Sequence, residues 1–169
     1  MKSFYHGIGC ILLAAVAFSF SFKAKAQDTP AAGSFKNAYL TLGKSGKVAL
    51  TYTLWDQQVT KGNYTLAFFW ASWSDEAREE LPYVQAIQKK YAGKVKVLGV
   101  TYGDEIQDSM DAIVEWGITF PSFVFVEDAE PDGQFDIDSI PLVILFGPKG
   151  EIVARDLKGE EIEEKVAGL

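Results

Sequence analysis

Ser74 sits at the joint of the segment YTLAFFWASWSDEAREELP, residues 64–82, where an apolar run ending at Trp70 passes through a short aromatic turn into an acidic stretch. A strand, a tight turn and a helix start make a seat for a reactive group. The first backbone N–H groups of a helix are unpaired, and its N-terminus carries partial positive charge. The residues in that seat are Ser74 and, three positions on, Ala77. A hydroxyl gains little there: a helix terminus supplies up to about 2 kcal/mol, or roughly 1.5 pKa units, far less than an alcohol needs to ionise at neutral pH. A nucleophilic serine would need a base beside it. Ser74 is therefore expected to cap the helix, its Oγ accepting from an early backbone amide.

A second constellation lies in EDAEPDGQFDID, residues 127–138, which holds six carboxylates. Asp128, Glu130, Asp132 and Gly133 follow an Asp-x-Glu-x-Asp-Gly spacing, with Asp136 at position nine. Alternate oxygen ligands and a glycine for the sharp turn are what the first half of a Ca²⁺ loop needs. Position twelve is Ser139 instead of a bidentate glutamate, Pro131 stiffens the middle, and the flanks read as strand and loop. A solvated acidic loop is the expectation and weak calcium binding the alternative; no cofactor is expected.

The N-terminus narrows the remaining chemistry. Lys2, the apolar stretch Ile8–Phe22 and Ala24-Lys25-Ala26 have the layout of a secretory signal peptide, residues 1–26, with an uncleaved membrane anchor as the competing reading. Cleavage after Ala26 would export the chain, leave a loose leader at 27–34, and place the folded domain at 35–169. The sole cysteine, Cys10, and the sole histidine, His6, would leave with the signal. Disulfides, thiol chemistry, Cys/His zinc sites and histidine-activated nucleophiles would leave with them. Loss of Lys2, Lys23 and Lys25 takes the formal charge from −7 to −10. So acidic a surface repels phosphate backbones and anionic lipid, so neither nucleic acid nor a membrane is an expected partner.

The elements that must position Ser74 follow from periodicity. Tyr39–Leu42 and Val48–Leu54 flank GKSGK and predict a β-hairpin. Tyr64–Trp70 is apolar enough for a strand buried on both faces. Residues 75–91 read as a helix, with Leu81, Val84, Ile87 and Tyr91 at spacings of three and four, acids in the first turn, and Gly93 as the stop. Strands are predicted at 94–102, 122–126, 142–146 and 152–156, and helices at 108–116 and from Glu160 onward. The strand–helix–strand unit over 64–102, followed by a hairpin and a helix, predicts an α/β fold with a mixed sheet and helices on both faces.

That order, and three local stretches, resemble the TlpA-like periplasmic thioredoxins. Phe69, Trp70, Ala71, Trp73, Arg78, Glu80 and Pro82 match the family's active-site stretch, Phe-Trp-Ala-x-Trp-Cys-x-x-Cys-Arg-x-Glu-x-Pro, with Ser74 and Ala77 at its two cysteine positions. Ile140-Pro141 matches the proline that is cis in that family and faces the active site, and LFGPKGEIVARDLKG matches its closing hairpin. Asp104, after the second central strand, matches the family's buried acid. The resemblance implies a thioredoxin-like fold, a central mixed sheet flanked by helices, carrying an N-terminal β-hairpin extension.

Disulfide exchange through this pair does not carry over, since it needs a thiolate and a second sulfur. The expectation is a redox-inactive module that binds an extended peptide or protein segment by β-augmentation at the face of Trp70, Trp73, Ser74, Asp75, Ile140 and Pro141. The alternative is a thiol–disulfide oxidoreductase-like protein of cell redox homeostasis, by homology or through a partner's thiol. Trp70, at a strand end, is also expected to serve the core, and Trp73 to offer apolar surface. With no cysteine pair to serve, Asp104 is expected to cap the following helix or to be solvated.

Overall fold

The computed structural model describes residues 36–59, 62–125 and 135–169. Its centre is a mixed sheet of seven strands: β1 (Lys36–Leu42), β2 (Val48–Leu54), β3 (Tyr64–Trp70), β4 (Val95–Thr101), β5 (Ser122–Val124), β6 (Leu142–Phe146) and β7 (Ile152–Ala154). Their order across the sheet is β2-β1-β5-β4-β3-β6-β7. Among the described residues, the helices with given bounds are α1 (Trp55–Val59), α2 (Asp75–Lys90), α3 (Ile106–Glu115) and α4 (Glu160–Ala167). None of the described helices is long and apolar enough to cross a membrane. The expected signal, leader, Asp128, Glu130 and Asp132 lie outside the described residues.

β3 is buried almost throughout. Its alternate side chains Leu66, Phe68 and Trp70 enter a core packed by Ala77, Leu81, Val84 and Ile87 of α2, Ile113 of α3, and Ile162 and Val166 of α4. Ala67 and Phe69 enter a second core on the other face, with Trp55 and Val59 of α1, Phe123, Phe135 and Phe146. Each large apolar side chain so buried contributes roughly 1.5–3 kcal/mol relative to exposure. A strand buried on both faces has no reason to alternate in polarity, which is how β3 reads in the sequence.

β3 and β4 pair in parallel from Tyr64↔Val95 to Trp70↔Thr101, with α2 as the crossover, as the 64–102 unit predicts. β6 runs antiparallel to β3, with Phe69↔Leu142 at its start. Three points differ from expectation. α1 is missing from the sequence reading because five residues are too few to show a period, although Trp55 and Val59 are both buried. Bounds also move: β1 begins at Lys36, three residues before its predicted start, α3 begins at Ile106, two before, and β5 and β7 end at Val124 and Ala154, two short each. The β1–β2 hairpin is also more than an appendage, since β1 pairs antiparallel with β5 through Ala38↔Val124, Tyr39↔Phe123 and Leu40↔Ser122.

Candidate functional site

The parallel register that sets Trp70 against Thr101 brings the loops leaving β3 and β4 side by side, and the Phe69↔Leu142 pairing brings Pro141 to the same end of the sheet. The turn after β3 is closed by the Ser74 amide donating to the Ala71 carbonyl at 3.1 Å. Ser74 is extended (φ −94°, ψ 108°) and caps α2, its Oγ accepting from the Ala77 amide at 3.1 Å. The same hydroxyl donates to a Glu76 carboxylate oxygen at 3.4 Å, and Ser74 is only 3% exposed. Both functions of the hydroxyl are thus engaged inside the helix start. Among the described residues none is cysteine or histidine, so no imidazole stands by to activate it.

Trp73 lies on the rim, 64% exposed, its indole N–H donating to the Gly103 carbonyl at 3.3 Å. The peptide bond Ile140-Pro141 is cis, as the resemblance implies. Between this rim and the first turns of α2 lies a cleft of about 660 Å³, lined by Trp73, Ser74, Ile140 and Pro141 together with Glu76, Glu79, Glu80, Tyr83, Ser139, Lys158 and Gly159. Glu80 is held in place by accepting from the Gly159 amide at 2.5 Å, which joins α2 to the start of α4. Glu76, Glu79 and Tyr83 fall at helical spacings of three, four and seven, so one face of α2 turns all of them toward the cleft. That spacing is visible in the sequence, but an acidic helix face carries no local mark that a cleft lies against it.

Two expected members do not belong to this surface. Trp70 has no exposed area and cannot touch a docked segment; its ring packs 5.4 Å from that of Trp116. The strand end that carries it points the side chain into the core beneath α2, and its Nε1 has no hydrogen-bond partner among the described residues. Asp75 is exposed but does not line the cleft.

Asp104 neither caps α3 nor stands free in solvent. The N-cap residue of α3 is Glu105, which makes no side-chain cap. The partly buried Asp104 carboxylate instead accepts from the Ser72 amide at 2.7 Å and the Ser72 hydroxyl at 2.9 Å, and from Ser109 Oγ at 3.3 Å. It fastens the turn after β3 to the loop after β4, and Trp73 closes the same gap from the other side. Ser72 carries no local sequence signal for this, because its partner is distant in the chain. Of the acidic-loop candidates only Asp136 is described, at φ 56°, with its carbonyl accepting from Arg155 Nη2 at 2.9 Å.

No family model matches the chain. It is 26% identical over 115 residues to the thioredoxin-like protein YneN of Bacillus subtilis, covering 64% of this chain and 66% of that protein. It is 24% identical over 94 residues to the thiol-disulfide oxidoreductase ResA of the same organism, covering 55% of this chain and 52% of ResA. The chain thus spans between half and two thirds of these curated relatives. Among solved structures, StoA of Bacillus subtilis superposes with a TM-score of 0.57 at 24% identity, over 80% of this chain and 97% of that one. The protein has the thioredoxin-like fold, and in sequence it is similar to the thiol–disulfide oxidoreductases of the ResA kind.

Proposed function

We propose that this is an exported thioredoxin-like protein of the thiol–disulfide oxidoreductase kind whose own part is to dock an extended peptide or protein segment at the Trp73–Ser74–Pro141 face without exchanging disulfides. The observation that carries this reading is the engaged hydroxyl of Ser74, at the helix cap where a thiolate would work, with Ala77 three residues on. A cleft beside a strand end, an exposed indole and the loop at Ile140 supply what an extended chain needs: backbone groups for pairing and an aromatic surface for a side chain.

Similarity to thiol–disulfide oxidoreductases favours a second reading, in which the protein serves thiol–disulfide exchange and redox homeostasis, by homology or through a partner's thiol. At the level of the family they support this more than a module outside redox chemistry. Insulin reduction by the full chain, with a dithiol oxidoreductase present to supply the partner's thiol and also serving as the reductant control, separates the two. Docking alone predicts no turnover above the reductant control, and any excess over it that survives Cys10→Ser overturns it. Calcium binding at the acidic loop is a third reading, tested by whether millimolar Ca²⁺ raises the melting temperature.

A further inference from the structure

We infer that the segment docked beside Pro141 is cationic: an extended stretch of another protein bearing lysine or arginine at alternate positions. This rests on the docking reading above and names the chemistry of its occupant. The cleft does not end at Tyr83. A second hollow of about 490 Å³ lies between α2 and α4 and shares Tyr83 and Gly159 with the first, so the two adjoin there as a furrow of two hollows beside α2. Glu80 and Glu163 are occupied, the first by the Gly159 amide and the second by Lys90. Glu76, which accepts from the Ser74 hydroxyl, and Glu79 in the first hollow, and Glu160 and Glu164 in the second, make no ion pair among the described residues. Among the described residues, the one cation lining the furrow is Lys158.

The charge is matched by surface for the rest of a cationic side chain. Trp73 stands at the mouth and Tyr83, 43% exposed, at the junction, and an aromatic face attracts an ammonium or guanidinium group laid over it. From Glu76 to Ala86 the helix rises about 15 Å, the length of roughly five extended residues. Alternate side chains of such a strand point to one side, so two or three cations would face the carboxylates together. Single exposed pairs contribute little, and their sum depends on salt.

The test is a titration of the full chain with three eight-residue peptides, followed by the fluorescence of Trp73, the most exposed of the four tryptophans, with Trp73→Phe as the control for that signal. The peptides carry lysine, glutamine or glutamate at every second position on a common threonine–valine backbone. The lysine peptide is expected to bind at least tenfold more tightly than the glutamine peptide, to weaken at least fivefold between 50 and 300 mM NaCl, and to lose at least fivefold in Glu79→Gln/Glu164→Gln. A matched change on α3 and its cap, Glu105→Gln/Asp108→Asn, is expected to leave it within twofold. Equal binding of the lysine and glutamine peptides overturns the cationic occupant while the docking site stands. An equal loss in both double variants also overturns it, because the whole acidic surface would then be responsible. No binding by any of the three overturns the docking reading itself. Melting curves of each variant guard against a loss caused by unfolding.

Discussion

The carboxylate of Asp104 holds Ser72 twice, accepting from its amide at 2.7 Å and from its hydroxyl at 2.9 Å, and so ties together two loops 32 residues apart. Hydrogen bonds to a charged group contribute about 1.5–3 kcal/mol, and removing one partner leaves the others unsatisfied. Asp104→Ala is expected to destabilise the fold by about 2 kcal/mol, and Ser72→Ala, which keeps the amide bond, by about half as much. Urea denaturation measures both; equal stability of Asp104→Ala and the parent would mean that the clamp contributes nothing.

Ser74 has a role that a single atom can test. Loss of an N-cap oxygen costs about 1 kcal/mol, so Ser74→Ala should lower the urea midpoint by that equivalent while Ser74→Asp, which can still cap, should not.

The same positions test how far the site keeps its geometry. Ser74 at the cap and Ala77 at the third helical position lie one turn apart, joined by the 3.1 Å bond from the Ala77 amide. Ser74→Cys/Ala77→Cys is expected to form a disulfide under mild oxidant that dithiothreitol reverses, read by thiol titration in a Cys10→Ser background. Two thiols that stay free would show that the turn does not hold a cysteine pair.

Gly99 of β4 faces a crowded interior. A methyl group there would lie 2.2 Å from Ser122 Oγ, 2.9 Å from Trp70 Nε1 and 3.1 Å from Phe120 Cε2. Overpacking a core of this kind costs about 1–3 kcal/mol. Gly99→Ala should destabilise by that amount. Ser122→Ala, which removes a buried hydroxyl without a partner, should be neutral or stabilising and should relieve part of the Gly99→Ala loss. Additive effects in the double variant would refute the shared contact.

Burial pushes the Tyr39 hydroxyl up to about 12 from its usual 10. The phenolate is disfavoured in the folded chain, so the unfolded chain releases its proton first. The resulting stability is fully present below pH 10 and is lost as the pH rises through 12. Stability measured from pH 9 to 12 should therefore fall less steeply in Tyr39→Phe than in the parent; parallel curves would place the tyrosine in a solvated setting.

Readings that depend on neighbours in the chain were legible in the sequence. The cap at Ser74 needs an oxygen and an amide three residues on, and α2 needs only an apolar period with Gly93 beyond its end. The double-sided burial of β3 is visible as seven residues without polar alternation. The cis bond at Pro141 came from resemblance and not from the residues, since prolines are mostly trans. α1 escaped notice because its anchor, Trp55, is defined by Phe123, Phe135 and Phe146, all distant in the chain.

The sequence alone determined the order of the elements other than α1, the fold class and the absence of a thiol at Ser74 and Ala77, because these rest on residue type and short-range spacing. Tertiary structure decided the site. The register of β3, β4 and β6 made Asp104 a clamp on Ser72 in place of a helix cap. It also turned Trp70 inward while leaving Trp73 outside, and the packing of α4 against α2 set Glu160 and Glu164 around a hollow that shares Tyr83 and Gly159 with the one lined by Glu76 and Glu79. Contacts between residues 30 to 80 positions apart depend on how strands pair and helices pack, and no local pattern of side chains encodes that.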